Sequence, residues 1–454
     1  MGHQRGKKRG KVSLAILFMI LVLGGCSLEY GDGLLSLPKL PGEYLMLQQE
    51  LDAILSTGAV YAAAETGSNR QAVQLIDIDG DGEDEAIAFF RMPTGEFLVC
   101  VYKRSEDGYV EIGRAEGYGN TIRAVNYPRV SASGQLALAL SWGLDDSGSY
   151  GMTVFGFRDG ELENLMDIQY GSLLVADVDD DSLDELCFAV RDPATGGFSL
   201  RIYRYEKNEY RQQSETPMCV EVRSVARMTL GKAATGDDAV YIDSAAMGGG
   251  YVTDVIRLAE SGAVNDTIDL GTGSGSQTWR PISVTCTDID GDGVMDVPTI
   301  GAQPPRDGES IAGEVQARLM WFDFTSGLPP AEVTRTFHNV SEKWYLIWPE
   351  KWRDDVVIQQ SGFSGVSRTA FSLKAADAEG EKGPTLLTIC VFTGDNRVSY
   401  AVSSGVKIIQ QTDTAIYGYQ LSEDAPDAYA LSEEEVQAAY QLIKTDWAAG
   451  GSSQ

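Results

Sequence analysis

The chain has 454 residues, with 66 Asp and Glu residues against 36 Lys and Arg residues, so its formal net charge is −30. A surface this acidic repels phosphate backbones and anionic lipid head groups, which argues against a nucleic-acid partner. The chain has two histidines, His3 and His338. Metal centres built from several histidines are therefore excluded, and at most one histidine-based nucleophile relay remains.

The first 25 residues have the pattern of a secretion signal. Basic residues cluster between Arg5 and Lys11, and an apolar run follows from Val12 to Leu23. This run is shorter than the roughly 20 residues that span a bilayer core, so it predicts a signal peptide. It ends in Leu23-Gly-Gly-Cys26, which resembles the bacterial lipobox.

The lipobox resemblance implies cleavage before Cys26 and a diacylglycerol anchor on its sulfur. Residues 1–25 are then the signal peptide, and residues 26–41, which include several Gly and Pro, are a tether. We expect a lipid-anchored protein on the extracellular face of the bacterial cell membrane, held by this anchor alone, because no other stretch is long and apolar enough to span a bilayer. A plain signal peptide followed by a chance cysteine is the alternative.

Residues 42–58 predict a short helix. Tyr44, Leu47, Leu51 and Ile54 share one face at helical spacing, and a glycine follows the end of the pattern. We expect this helix to cap the open end or the core of the domain that follows it.

Three Asp-rich loops begin at Asp77, Asp177 and Asp288 and place carboxylates at loop positions one, three, five and nine. Such a turn surrounds a hard divalent cation with oxygen ligands, and its carboxylates repel one another unless a cation or solvent screens them. The backbone carbonyl of position seven would complete the set. The predicted ligands are Asp77, Asp79, Asp81, Glu83 and Glu85 in the first loop, Asp177, Asp179, Asp181, Leu183 and Glu185 in the second, and Asp288, Asp290, Asp292, Val294 and Asp296 in the third.

The donor set favours Ca²⁺ over zinc or copper, because it consists of oxygen atoms and includes neither His nor Cys. An EF-hand is the obvious rival, but its loop ends in a bidentate Glu at position twelve, where this chain has Ala88, Phe188 and Thr299. Its flanks are helices, whereas the residues on either side of these loops have strand patterns. Three solvated acidic turns without a metal are the remaining alternative.

The second loop is expected to bind more weakly than the other two. Gly82 and Gly293 occupy position six, where a sharp turn requires a positive φ angle, whereas the second loop has Ser182 there. A non-Gly residue in that conformation costs about 1 kcal/mol. We therefore expect two strong calcium sites and one weaker site.

The loops recur along a repeat of strands. They begin roughly a hundred residues apart, and strand patterns without an acidic loop lie halfway between them, so the period is about fifty residues, a length typical of propellers and solenoids. Each period contains four short strands separated by turns rich in Gly, Asp and Ser, which predicts a β-propeller blade. Five blades are readable, and a ring of five to seven is left open.

The loops resemble the calcium motif of FG-GAP (VCBS-type) repeats, best known from the propeller of the integrin α-chain. In that family the acidic turn joins the first two strands of a blade. The resemblance covers roughly residues 60–337, and it implies that the carboxylates at positions one, three, five and nine bind calcium. The propeller is assigned to residues 59–338, in which the loops near 131–134 and 233–238 lack the ligand set.

Residues 339–450 are predicted to form a separate α+β domain, loosely similar to Mog1/PsbP-like domains. Five strands are expected, at residues 355–360, 369–374, 386–392, 398–403 and 415–421. A closing helix is predicted from the capping box formed by Ser432 and Glu435, with Leu431 and Val436 as its hydrophobic staple. The apolar face of that helix contains Val436, Ala439, Tyr440, Ile443 and Trp447.

Other conspicuous side chains are interpreted as structural. Trp344, Trp348 and Trp352 are expected in the core, with a ligand platform as the alternative, and His338 is expected in a linker between domains. Unpaired buried thiols are favoured over disulfides, because the cysteines are scattered within strand patterns and odd in number. These cysteines are Cys100, Cys187, Cys219, Cys286 and Cys390.

No recognisable catalytic constellation is present, since the carboxylates at regular spacing are already assigned to calcium and the glycine-rich stretches lack the features of a phosphate-binding loop. Two hypotheses follow. The first is a non-enzymatic surface module whose calcium-stabilised propeller binds or adheres to an extracellular protein or glycan. The second is an extracellular polysaccharide hydrolase, or an accessory subunit of one, that uses acids outside the loops.

Overall fold

The computed structural model describes residues 42–106, 108–144, 150–158, 161–259, 262–300, 318–324, 329–352, 354–375 and 382–443. The predicted signal peptide, the tether and Cys26 lie outside these residues. The described chain is mainly β and forms a β-propeller, which confirms the predicted fold class, with a further sheet after it. None of the described helices is long and apolar enough to cross a membrane.

Five antiparallel sheets form the blades, and neighbouring strands follow one another in chain order except in blade one, where β1 and β2 both pair with β3. Blade one contains β1 (Val60–Tyr61), β2 (Val73–Ile76), β3 (Glu85–Arg91), β4 (Phe97–Ser105) and β5 (Gly108–Gly117). Blade two contains β6 (Thr121–Asn126), β7 (Leu138–Gly143), β8 (Tyr150–Arg158) and β9 (Glu161–Tyr170). Blade three contains β10 (Ser172–Ala176), β11 (Glu185–Arg191), β12 (Phe198–Glu206) and β13 (Glu209–Pro217).

Blade four contains β14 (Val222–Lys232), β15 (Asp238–Ala246), β16 (Tyr251–Ala259) and β17 (Gly262–Asn265). Blade five contains β18 (Val297–Thr299), β19 (Arg318–Asp323), β20 (Ala331–Asn339) and β21 (Trp344–Ile347), and β27 (Tyr440–Leu442) adds a strand to its outer edge.

The blades pack face to face, so their second and third strands are buried on both sides. In β3, six of seven residues are buried, which explains why its sequence is almost continuously apolar rather than alternating. Phe89 of blade one and Leu140 of blade two belong to one apolar cluster, and further clusters join blades two and three, three and four, and four and five. This stacking is the packing of a propeller.

Helix α1 (Gly42–Leu55) covers the face of blade one that points away from blade two. Leu47, Leu51 and Ile54 are buried against Phe90 and Tyr102. The predicted helix and its apolar face are therefore correct, and the helix closes the end of the stack of blades as expected.

The C-terminal part forms a sixth sheet whose strand order is β22-β23-β24-β26-β25. These strands are β22 (Val356–Phe363), β23 (Val366–Lys374), β24 (Lys382–Thr393), β25 (Lys407–Gln411) and β26 (Ala415–Leu421). Trp344, Trp348 and Trp352 are buried between this sheet and the outer strands of blade five, which confirms that they belong to the core. Because β20 continues to residue 339 and pairs with β21, the predicted boundary at residues 338 and 339 falls inside a continuous sheet.

Two C-terminal predictions are wrong. Residues 398–403 form part of helix α2 (Arg397–Ser404) rather than a strand, and Gly405 ends this helix in the left-handed conformation. The closing helix α3 (Glu433–Ala439) begins with the predicted capping box, but it ends at residue 439 because Tyr440 pairs with Leu346 in blade five. Trp447 lies outside the described residues.

His338 is also placed incorrectly by the sequence. It lies within β20, it is 1% exposed, and its ring stacks on Tyr345 at 5.1 Å between centroids. Its Nε2 atom is 2.8 Å from Thr336 Oγ1. Burial lowers the pKa of His338 to about 3. It is therefore a neutral core residue of blade five and not a linker residue.

Candidate metal centre

The three acidic loops occupy equivalent places in blades one, three and five. The first joins β2 to β3, and the second joins β10 to β11. The third precedes β18 and is closed by an antiparallel bridge between Thr287 and Asp296. The first two loops therefore connect the innermost strand of a blade to the next strand, as predicted from the family resemblance, whereas the third connects the single bridge residue Thr287 to β18.

The first aspartate of each loop organises the turn. Asp77 accepts backbone hydrogen bonds from Gly80 and Asp81 at Oδ1 (2.8 and 3.1 Å) and from Gly82 at Oδ2 (2.9 Å). Asp288 accepts the same three bonds, at 2.7, 3.1 and 3.0 Å. In the second loop, Asp177 accepts from positions five and six at 3.1 and 2.7 Å. The three turns therefore have nearly the same backbone path.

The ninth-position acid is buried in all three loops and accepts a hydrogen bond from the backbone N–H of loop position two. These bonds are Ile78 N to Glu85 Oε2 (3.1 Å), Val178 N to Glu185 Oε2 (3.0 Å) and Ile289 N to Asp296 Oδ2 (2.8 Å). The exposed fraction of each acid is 1% or less. A buried ionised carboxylate is costly unless a cation or further hydrogen bonds compensate it, so each loop needs a positive partner.

In each loop, one oxygen from positions one, three and nine comes within 4.8 Å of the other two. The position-five carboxylates are not part of these groups, and ligation by the position-seven carbonyls of Glu83, Leu183 and Val294 stays a prediction. Glu85 Oε1 and Asp179 Oδ1 are buried and accept no hydrogen bond. Converging carboxylates with unsatisfied buried oxygens suit a hard divalent cation, so the residues present fit the predicted metal.

A residue that the sequence analysis missed faces each ninth-position acid from the neighbouring strand. Extending the strand registers by one pair places Lys103 opposite Glu85, Arg204 opposite Glu185 and Asp323 opposite Asp296. Lys103 Nζ contacts Asp79, lies 2.6 Å from Asp81 Oδ2 and lies 3.4 Å from Glu85 Oε1.

Arg204 makes the same kind of contact in the second loop, with Asp179, with Asp181 at 3.3 Å and with Glu185 at 3.4 Å. The first two loops thus each hold a cationic side chain among their carboxylates. In the third loop Asp323 occupies that position instead, so the four carboxylates at positions one, three, five and nine face a fifth carboxyl group and not a cationic side chain.

The titration of the buried acids follows from these surroundings. Burial raises the pKa of Glu85, and it raises the pKa of Glu185 to about 7. Burial and the adjacent Asp323 carboxyl raise the pKa of Asp296, and no cationic side chain of the described residues is among the groups that oppose the effect. The hydrogen bond from Lys103 lowers the pKa of the exposed Asp81.

Backbone angles support the predicted weakness of the second loop. Ser182 has a φ angle of 70°, as its position requires, and Asp180 has a φ angle of 62°, whereas the other two loops have glycine at both positions. The strain at Asp180 was not predicted. Non-Gly residues in this region cost about 1–2 kcal/mol each, with Asp at the low end, so the second loop folds at a higher cost than the others.

Each loop also contacts a neighbouring blade. Leu136 of blade two donates to the carbonyl of Ile78 at 3.0 Å, and Arg129 N donates to Asp184 Oδ2 at 2.7 Å. Met295 in the third loop donates to the carbonyl of Lys232 in blade four at 2.9 Å. A cation that orders a loop would therefore also stabilise the packing between blades.

No protein-family model and no curated protein sequence matches the chain. Among solved structures, the chain is similar to the exotype rhamnogalacturonan lyase YesX, with 13% identity and a TM-score of 0.30 over 87% of this chain and 78% of that chain. It is also similar to the rhamnogalacturonan lyase YesW, with 14% identity and a TM-score of 0.23 over 53% of this chain and 60% of that chain. A third similar structure is the Dos1 propeller, with 9% identity and a TM-score of 0.27 over 80% of this chain and 89% of that chain. At such scores the similarities identify no function.

Other chemically reactive side chains have structural surroundings. All five described cysteines are free and buried, as predicted, and burial raises their pKa values. Burial also raises the pKa of Asp254 to about 6, but this carboxylate is fully buried and accepts from Cys219 N (2.8 Å) and Asn265 Nδ2 (2.6 Å). It cannot reach a substrate.

Proposed function

We propose that this protein is a calcium-stabilised, lipid-anchored β-propeller of the bacterial cell surface that binds an extracellular protein or glycan without transforming it. The observation that carries the proposal is the same acidic cage in three blades, each placed where the innermost strand meets a neighbouring blade. Lipid anchoring rests on the lipobox-like sequence before Cys26, and the assignment to FG-GAP repeats rests on the loop motif.

Calcium would be held by the carboxylates at positions one, three and nine, with the position-five carboxylate as the further predicted ligand. It would supply positive charge to the buried ninth-position acids, in place of Lys103 and Arg204 in the first two loops and beside Asp323 in the third. We propose a ranking of the loops that goes beyond the predicted two strong sites and one weaker site. The third should bind most tightly because of Asp323, the first should be intermediate because calcium must displace Lys103, and the second should be weakest because of Arg204 and its strained backbone.

A non-enzymatic role is favoured because, among the described residues, the carboxyls with strongly raised pKa values either belong to the loops or, like Asp254, are buried inside a blade. General acid–base catalysis needs a perturbed group within reach of a substrate. The polysaccharide hydrolase, or its accessory subunit, remains the alternative that an experiment has to exclude.

The test screens the calcium-loaded full chain in detergent against glycan and peptide panels, for both binding and turnover. Binding that is lost in chelator, without turnover of any substrate, is the expected result. A matched pair of variants locates the effect: Asp290→Asn in the third loop should weaken binding, whereas Asp237→Asn, an exposed acid of the blade-four loop that lacks the ligand set, should not. Turnover that disappears on substitution of one carboxylate outside the three loops would contradict the proposal.

A further inference from the structure

The innermost strands of blades two, three and four surround a cavity of about 200 Å³ that contains no residue of the acidic loops. All five residues of β10 are half-buried although its sequence, Ser-Leu-Leu-Val-Ala, is mostly apolar. The strand thus borders a space that opens to solvent, of a size that suits one small ligand group and not a macromolecule.

Two arginines line this cavity. Arg123, on β6, lies over the ring of Tyr150 with its guanidinium carbon 4.6 Å from the ring centroid. Arg227, on β14, donates a hydrogen bond from Nη1 to Thr285 Oγ1 at 2.9 Å. Within the described part of the chain, neither guanidinium has a carboxylate partner. Both arginines are therefore held in place by neutral groups, with their charge uncompensated.

The rest of the lining is polar and uncharged. Asn126, Ser141 and Ser172 contribute amide and hydroxyl groups, and Tyr170 donates to Ser141 Oγ at 2.8 Å. No Asp or Glu is among the lining residues, although the chain has 66 of them. Against that composition, a cavity with two cations and no anion selects negative charge.

We infer that this cavity binds the carboxylate of a small sugar acid, with the guanidinium groups of Arg123 and Arg227 holding the charge and the hydroxyl and amide groups holding the sugar. A planar guanidinium donates two parallel hydrogen bonds to a carboxylate, and stacking on Tyr150 pre-orients Arg123 for this. The inference rests on the proposed binding role and names the ligand class for it.

The test is isothermal titration of the calcium-loaded full chain in detergent with glucuronate, glucose and acetate. Glucose differs from glucuronate in lacking the carboxylate, and acetate has a carboxylate without the sugar. Glucuronate should bind at least about tenfold more tightly than either, because charged hydrogen bonds and the polar lining each contribute. Equal affinity for glucose, equal affinity for acetate, or no binding of glucuronate at millimolar concentration would overturn the inference.

Variants tie the binding to the cavity. Arg123→Gln should weaken glucuronate binding by about ten- to a hundredfold, the range for a lost charged hydrogen bond. Arg227→Gln should weaken glucuronate binding by a similar factor. Because this substitution also removes the hydrogen bond to Thr285, the melting temperature of the variant is measured as well. The matched control is Arg223→Gln, an exposed arginine of the same strand that does not line the cavity. Unchanged affinity in Arg123→Gln would overturn the inference.

The two proposals fail separately. Calcium-dependent stabilisation without glucuronate binding would leave the calcium-stabilised propeller in place and remove the ligand assigned to the cavity. If glucuronate binding is unaffected by chelator, the assignment of the cavity as its binding site stands, and the proposed dependence of binding on calcium is wrong.

Discussion

Replacing Asp323 by Asn tests whether the residue opposite the ninth-position acid controls calcium affinity. The substitution preserves the shape of the side chain and removes one negative charge from the third loop, where Asp288, Asp290 and Asp296 converge. Calcium should bind this variant more weakly. The converse substitution, Lys103→Gln, removes a positive charge from the first loop and should strengthen binding there.

The expected magnitude follows from the register. Asp323 faces Asp296 across a strand pair, in which Cβ atoms lie about 5 Å apart, so its charge lies on the order of 5 Å from an ion in the loop. A unit charge at that distance from a dication contributes about 1.7 kcal/mol in water and about 7 kcal/mol at an effective dielectric constant of 20. Even the smaller value predicts a loss of affinity of roughly tenfold or more at the third loop.

The assay is calorimetric titration with calcium, in which the tightest binding step is assigned to the third loop. Asp323→Asn should weaken that step by roughly tenfold or more, whereas Lys103→Gln should leave it unchanged and tighten a weaker step. Lys407→Gln, which breaks an exposed ion pair with Glu433 in the C-terminal sheet, is the control and should change nothing. An unchanged affinity of the tightest step in Asp323→Asn, or affinities that shift in the same direction in both loop variants, would refute the electrostatic ranking.

Three further results are expected. Ser182→Gly should stabilise the calcium-free protein against denaturant unfolding by about 1 kcal/mol, because it relieves a positive φ angle. Gly82→Ser should destabilise the protein by a similar amount, because a Cβ added at Gly82 meets no atom within 4 Å and only the positive φ angle opposes it. The pKa of His338 is lower in the folded than in the unfolded state, so its neutral form stabilises the protein fully above about pH 6.5. Relative to His338→Gln, the wild type should therefore lose up to about 3 kcal/mol of its free energy of unfolding as the pH falls to 4. A ring pKa near 6.5 in the folded state, measured by NMR titration, would contradict this. Arg280→Met should lower the free energy of unfolding by about 3–5 kcal/mol in denaturant titration, because it leaves the buried Asp243 carboxylate, 2.7 Å away, without its cation. The double variant Arg280→Met with Asp243→Leu should recover most of that loss. A double variant as unstable as Arg280→Met alone would contradict this explanation.

The propeller could be predicted from sequence because its signals are local and repeated. The acidic loops, the strands on either side of them and the period of about fifty residues are each visible within a short window. The same holds for the capping box at Ser432 and Glu435, which is a contact between near neighbours. These local preferences agree with the final fold, so the prediction of the fold class succeeded.

The features that were missed depend on which strands become neighbours. Lys103, Arg204 and Asp323 join the loops only through strand register, which a single sequence does not reveal. Tyr440 fits a helical face and a strand equally well, and its pairing with β21 decides for the strand. At residues 398–403, Gly405 was an available signal for a helix end that the sequence analysis did not use.

Anomalous scattering from calcium-soaked crystals tests the central claim most directly. Metal peaks are predicted at all three loops, among the carboxylates of positions one, three and nine. At limiting calcium the peak should be strongest at Asp288, Asp290 and Asp296. Loops that stay without a peak at saturating calcium, with Lys103 and Arg204 still among the carboxylates, would contradict the claim.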